Sequence, residues 1–161
     1  MTTSSADEVW MHEAIKEAQA AEQAGEVPVG SIIVFHGEVI ARGQNRVIHD
    51  SDPAAHAEIV ALRACGNRLG NYRLEDCDLY TTLEPCAMCA GAILHARIRR
   101  LVYAAADPKA GACGSVLAVM NHPRLNHHVE VLPGILGEEC GAMLTDFFRR
   151  RRTRAVRSGE K

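Results

Sequence analysis

Two short stretches, about thirty residues apart, hold the side chains best suited to chemistry. His56-Ala57-Glu58 supplies an imidazole and a carboxylate, and Pro85-Cys86-Ala87-Met88-Cys89 supplies two thiols. A histidine and two cysteines are three soft ligands for zinc, and an ion held by three protein groups keeps a fourth tetrahedral position open for water. Glu58 stands beside the histidine without needing to touch the metal. An open zinc with a carboxylate at hand is equipped to direct a hydroxide at an electrophilic carbon. The carboxylate takes the water's proton and returns it to the departing group.

Spacing narrows how these side chains are held. Cys86 and Cys89 are three apart and share one face of a helix. Pro85 marks the start of that helix, so both sulfurs fall in its first turn, where the helix dipole favours a thiolate. His56 also falls at the start of a helix, so two helix N-termini converge on one metal. Glu58, two residues on, points in a different direction around the first turn and reaches the metal's water rather than the metal. Two other chemistries use C-x-x-C. A structural zinc needs a fourth ligand, for which His95 and Cys113 are available. A redox pair belongs in a thioredoxin-like setting and leaves His56 and Glu58 unexplained.

The remaining chain reads as a frame for these junctions. Residues 6–24 form a predicted helix with Ser5 as N-cap, Gly25 as stop and Trp10 as core anchor. Segments 29–35 and 38–42 are strands joined at His36-Gly37 as a hairpin. A polar loop leads to a helix over 54–65, a strand over 77–83, a helix over 87–96, a strand over 100–105 and a loop over 107–114. A short helix over 115–120, a strand over 129–132 and a closing helix over 136–152 complete the order, the last anchored by Leu144, Phe147 and Phe148. This order predicts an α/β fold in three layers, a five-stranded mixed sheet with helices on both faces. The motif then lies at strand-to-helix junctions, where open α/β sheets place their sites.

A chain of 161 residues, 47% apolar and 24% charged, fits a single domain over 1–161, with its core at about 7–152 and a basic, frayed tail at 153–161. No apolar run is long enough to cross a membrane, and the polar, acidic start lacks a signal pattern, so the expected location is the cytoplasm. In that reducing setting Cys65, Cys77, Cys113 and Cys140 are expected as small buried apolar residues. Net charge is −2, yet residues 149–161 hold six arginines and one lysine against one glutamate, a local +6 that leaves −8 on the other 148 residues. Nucleic-acid contact must therefore come from a local patch rather than from global attraction.

H-x-E followed by P-C-x-x-C is the signature of the zinc-dependent cytidine and nucleobase deaminase superfamily. Further stretches resemble the bacterial tRNA-specific adenosine deaminases: Glu26-Val27-Pro28-Val29-Gly30, Asp52-Pro53-Ala54-Ala55-His56-Ala57-Glu58-Ile59, Asn71-Tyr72-Arg73-Leu74 and Thr82-Leu83-Glu84-Pro85-Cys86-Ala87-Met88-Cys89-Ala90-Gly91-Ala92. So do Asp107-Pro108-Lys109, Gly111, Asn126-His127 and Asp146-Phe147-Phe148-Arg149, so that the likeness runs from about residue 7 to 152.

The resemblance implies a cytidine-deaminase-like fold and conversion of adenosine to inosine at the wobble position of a tRNA anticodon, usually of an arginine tRNA. It implies a homodimer whose subunits both contact the anticodon loop, with one zinc per subunit held by His56, Cys86 and Cys89. Glu58 is then the proton shuttle, a hydroxide attacks C6 of adenine, and ammonia leaves. Asn45 matches a residue that contacts the target nucleotide, and backbone groups of Ala57, Glu84 and Cys86 position the base or the oxygen of the intermediate. Asp107 and Lys109 become loop contacts. Arg149, at the near end of the arginine run, is expected to contact RNA phosphates. Adjacent helical residues cannot both face the core, so of Phe147 and Phe148 one packs inward and the other, taken as Phe148, is a stacking platform for a base. The bases of an anticodon loop are already splayed, which keeps extrusion of the target inexpensive.

The chain departs from the family pattern at Val47, where a proline is common, and at Ala106 and Ala110, which replace more polar residues. The nearest rival on the same fold is a deaminase of a free base or nucleoside, of guanine or cytosine type. Such an enzyme would not need Asn45, Asp107-Pro108-Lys109 or a basic last helix. A non-catalytic zinc-binding RNA module is a third reading, but a structural site has no use for Glu58.

Overall fold

The structure, a computed structural model, describes residues 5–159. Helix α1 (Ser5–Gln23) leads into β1 (Gly30–Phe35) and β2 (Glu38–Gln44), the expected hairpin. His36 and Gly37 both take positive φ, 49° and 79°, as a tight two-residue turn between twisted strands requires. There follow α2 (Ala57–Leu69), β3 (Cys77–Leu83), α3 (Ala87–His95), β4 (Arg100–Ala105), β5 (Glu130–Pro133) and α4 (Gly137–Ser158). The five strands form one sheet in the order β2-β1-β3-β4-β5. β1 is antiparallel to both neighbours, whereas β3, β4 and β5 are parallel. β2 therefore points the same way as β3, and the carboxyl ends of β2, β3 and β4 share one edge of the sheet.

Alternation along the strands builds the three layers. Ile33, Leu79, Leu101 and Tyr103 face one side, covered by Ala61, Leu62 and Cys65 of α2 and by Ala90 and Ile93 of α3. Ile32, Val34, Tyr80, Val102 and Ala104 face the other, against Met11, Ala14 and Ile15 of α1 and Cys140 of α4. Gly43 lets α2 close onto the hairpin, since a Cβ there would lie 2.2 Å from the Ala57 carbonyl oxygen. That close approach seats the first turn of α2, and with it the motif histidine, directly on β2.

Several element ends depart from expectation. α2 starts at Ala57 rather than 54 and runs to Leu69, where Gly70 in the left-handed region ends it. Ser5 lies inside α1 rather than capping it. Residues 115–120 form no helix. Gly114 has φ 131°, Cys113 and Ala118 pair in an isolated bridge, and the N–H groups of Val116 and Leu117 both donate to Gly111 O. The Val119 N–H, which a helix here would give to Ser115 O, donates to Ala112 O at 2.9 Å instead. α4 does not fray at 153 but continues to Ser158, with Gly159 as a left-handed cap; residues 160–161 lie outside the described chain. Its anchors also differ from expectation. Cys140 is buried and Met143 packs on the core, while Leu144 and Phe147 are half-buried and Phe148 is 41% exposed. Trp10 packs against the core from its edge rather than from within. Cys65, Cys77 and Cys140 are buried free thiols, and Cys113 is half-buried. Among the described residues no helix is long and apolar enough to cross a membrane.

A buried ion pair ties α1 to the sheet. Asp7, its side chain 3% exposed, accepts two Arg100 guanidinium bonds at 2.7 and 2.9 Å and the Tyr80 hydroxyl at 2.7 Å. Asp7→Ala leaves the Arg100 cation largely buried without its carboxylate. Denaturant titration should therefore show a stability loss of about 3–5 kcal/mol. A loss below about 1 kcal/mol would rank the pair with ordinary surface bridges.

Candidate active site

His56 is the N-cap of α2 (φ −70°, ψ 155°) and Cys86 the N-cap of α3 (φ −74°, ψ 176°). Such residues ordinarily give a side-chain oxygen to the free N–H groups of the helix. Neither does so here, and the two side chains meet each other instead. Cys89 lies within the first turn of α3, so its sulfur joins them. Pro85 precedes the cap rather than occupying the first helical position. The chain reaches His56 through a turn built by Asp52, whose Oδ1 accepts the Ala54 N–H at 2.9 Å, and by the Arg46 N–H donating to Ala55 O at 2.9 Å.

Nδ1 of His56 is 3.6 Å from Sγ of Cys86 and 3.6 Å from Sγ of Cys89. All three donor atoms lie within 4.8 Å of one another. Tetrahedral zinc, with bonds of about 2.3 Å to sulfur and about 2.0–2.1 Å to nitrogen, sets an S···N separation of about 3.6 Å. The donor set therefore fits that ion. Among the described residues neither His95 nor Cys113 joins the cluster. His95 is exposed along a groove between α2 and α3, and the Cys113 N–H donates to Glu84 at 3.0 Å. With no fourth ligand among the described residues, the arrangement is that of a catalytic rather than a structural zinc.

Electrostatics agree with the geometry. The Cys86 thiol is held down to about 3 by Cys89 and then by His56, whereas Cys89 is driven far up by Cys86 and by burial. Two adjacent thiols cannot both ionise unaided, and a dication between them removes the conflict. His56 is raised, chiefly by its bond to Cys86. Glu58 is 4% exposed and is not one of the clustered donors. Burial pushes its carboxyl above the usual range, the direction suited to a group that must hold a proton and then release it.

A cavity of about 300 Å³ opens beside the cluster, at the small end of the range for small-molecule sites. Asn45, Ala57, Glu58, Glu84 and Asp107 border it, drawn from the carboxyl ends of β2, β3 and β4 and from the start of α2. Asn45 is 8% exposed and pinned in place: its Nδ2 donates to Val27 O at 3.4 Å and its Oδ1 accepts the Val47 N–H at 3.4 Å. Val27, Val29 and Leu83 also line the cavity; they lie in family-like stretches of the sequence but carry no motif role there. Their signal was positional, since Leu83 ends β3 and Val29 precedes β1. Val47 and Ala110, noted only as departures from the family pattern, prove to be wall residues as well. Lys109, Phe148 and Arg149 are not part of the lining. Lys109 is exposed with its N–H on Asp107 Oδ1 at 3.0 Å, Phe148 meets Phe147 edge-on at 5.4 Å, and Arg149 pairs with Asp146.

Known proteins are similar to this chain in sequence and fold. The family model described as the cytidine and deoxycytidylate deaminase zinc-binding region matches residues 4–105. The tRNA-specific adenosine deaminase of Bacillus subtilis (strain 168) is 46% identical over 153 residues, 94% of this chain and 95% of that protein. That of Haemophilus influenzae is 50% identical over 147 residues, 91% of this chain and 85% of its own. A solved tRNA:A34 deaminase, studied for A-to-I editing at the wobble position of transfer RNA, superposes with a TM-score of 0.81. It is 45% identical and covers 84% of this chain and 98% of that one. The guanine deaminase from Nitrosomonas europaea is also similar, with a TM-score of 0.72 but only 29% identity, over 87% of this chain and 83% of that one.

Proposed function

Since this chain belongs to the tRNA-specific adenosine deaminases of the cytidine and deoxycytidylate deaminase zinc-binding family, we propose that it hydrolyses adenosine to inosine at the wobble position of a tRNA anticodon. The observation that carries this reading is the three-ligand cluster with a buried, unligated Glu58 at the wall of a cavity sized for one base. Bound zinc supplies the Lewis acid that lowers the pKa of water to about 7. Glu58 accepts the proton of the attacking water and delivers it to the exocyclic nitrogen, so that C6 exchanges nitrogen for oxygen and ammonia departs. The Asn45 amide and the backbone groups of Ala57, Glu84 and Cys86 orient the base. Extruding the base costs a few kcal/mol, least in a loop that is already unstacked.

Asp107 and Lys109 receive the neighbouring nucleotides, and α4 supports the flanking backbone. Its arginine run is helical and exposed, with Phe148 exposed beside it, which supports a phosphate and stacking role at Arg149 and Phe148. Arg149 is paired with Asp146 within its own helix, whereas Arg150 is tied across to Glu22 of α1. The groove between α2 and α3, with Tyr72 71% exposed at its rim, supports a homodimer in which a second copy covers it. A tRNA substrate is in keeping with a cytoplasmic location.

Incubation with total tRNA and, separately, with free nucleosides and bases should yield inosine only in the tRNA, at the first anticodon position of an arginine tRNA. Inosine, uridine or xanthine formed from the free compounds, with none in tRNA, would move the assignment to the free-base class.

A further inference from the structure

Glu84 follows the last residue of β3 and stands two residues before the first thiol ligand. Glu84 is 2% exposed, and among the described residues its carboxylate bonds to backbone N–H groups and one hydroxyl rather than to an arginine or lysine. Both oxygens turn instead into the loop after β4. Oε1 accepts the Asp107 N–H at 3.1 Å and the Ser115 hydroxyl, while Oε2 accepts the N–H groups of Cys113 at 3.0 Å and Ser115 at 3.2 Å. Gly111 completes the fit, since a Cβ there would lie 2.3 Å from Oε2. The Ala112 N–H donates to Pro85 O at 2.8 Å, and the Glu84 N–H to Ala105 O at 2.8 Å.

A loop without regular structure has many conformations open to it. A buried charged acceptor that is satisfied only when its donors arrive together penalises all but one of them. The loop so fixed carries Asp107 and Ala110, one wall of the cavity, and its anchor is covalently continuous with Cys86. Wall and metal ligand thus share one fixed point. The opposite wall has a lesser version: Glu26, 1% exposed, accepts the N–H groups of Ile48 at 3.1 Å and His49 at 2.9 Å, just beyond Asn45 and Val47.

We infer that Glu84 is a positioning residue whose side chain holds residues 107–115 against the metal site and thereby sets how tightly the enzyme receives its RNA. The inference rests on the RNA-deaminase reading, and it concerns binding of the polynucleotide rather than the chemical step.

The test uses the zinc-loaded full chain and an anticodon stem-loop RNA carrying the target adenosine. Wild type is compared with Glu84→Gln, which turns one acceptor oxygen into a donor facing N–H groups, and with Ser115→Ala, which removes one donor at an exposed position. Glu84→Gln should raise KM about tenfold or more while kcat changes less than about threefold and zinc content holds. Ser115→Ala should raise KM by about threefold, and that effect should vanish in the Glu84→Gln background. Amide exchange needs no substrate: it should be slow at Asp107, Cys113 and Ser115 in wild type and faster in Glu84→Gln, with β3 and α3 unchanged. Unchanged KM and unchanged exchange in the variants overturn the inference, as does a kcat loss that tracks zinc loss. If Glu84→Gln does not fold, Ser115→Ala decides by the same readouts. Wild type that is inactive on RNA but slow to exchange at these amides would refute the functional reading and leave the loop-positioning result standing.

Discussion

Glu58→Gln lowers kcat on the order of 10²–10⁴-fold while zinc content and RNA affinity remain those of the unaltered chain. The two halves of this expected result have separate physical origins. Glu58 is buried at the cavity wall and is not one of the three clustered donor atoms, so removing its charge leaves the metal ligands in place. Glutamine keeps the volume and the first turn of α2, so the cavity keeps its shape. What it lacks is a group able to take a proton from water and return it to the leaving nitrogen. Burial has already raised that carboxyl above its ordinary range, which brings its proton affinity nearer to that of its partners. Steady-state kinetics with elemental analysis and an RNA binding isotherm distinguish the outcomes. Turnover near that of the wild type would remove Glu58 from the mechanism, and a parallel loss of zinc would reassign it to the metal site.

Chelation of the metal takes activity to background, and about one equivalent of Zn²⁺ per chain restores it. The protein should remain folded throughout. Both apolar clusters lie on the faces of the sheet, and the ligands are N-cap and first-turn residues at its edge, so the core does not depend on the ion. This separates the site from small zinc modules that unfold without metal. Far-ultraviolet circular dichroism, followed through removal and reconstitution alongside inosine formation, checks both statements. Fully active protein that contains no metal would sink the assignment of His56, Cys86 and Cys89. Collapse of the helical signal on chelation would make the zinc structural as well.

The legible parts of this protein are those in which neighbours in sequence act together. The hairpin was readable because His36-Gly37 supplies the positive φ that its turn needs. The metal set was readable because C-x-x-C puts two thiols on one helical turn, and the H-x-E that precedes it accounts for the histidine and the carboxylate. Three layers followed from the order of helices and strands. The failures share a cause of the opposite kind. Residues 115–120 have acceptable helix formers, yet the Val119 N–H that would close a helical turn goes to Ala112 O, and Ser115 is held from outside the segment by Glu84. Phe148 is apolar and in the sequence suits an anchor of the closing helix as well as a stacking platform, but that helix turns Cys140 and Met143 to the core and leaves Phe148 at the surface.

The types and spacing of His56, Glu58, Cys86 and Cys89 were enough for the chemistry, because ligand identity and helical periodicity are local properties. Their convergence is not local. It depends on β2 and β3 running parallel on either side of β1, on Gly43 admitting the start of α2, and on the carboxyl ends of three strands lying on one edge. The cavity wall is further still from the sequence. Val47, Leu83 and Ala110 belong to it and Lys109 does not, and the loops that carry Val47 and Ala110 give N–H groups to the buried acceptors Glu26 and Glu84. The Glu84 carboxylate takes its donors from Cys113 and Ser115, 29 and 31 residues away, and those bonds exist only once the chain has folded around it.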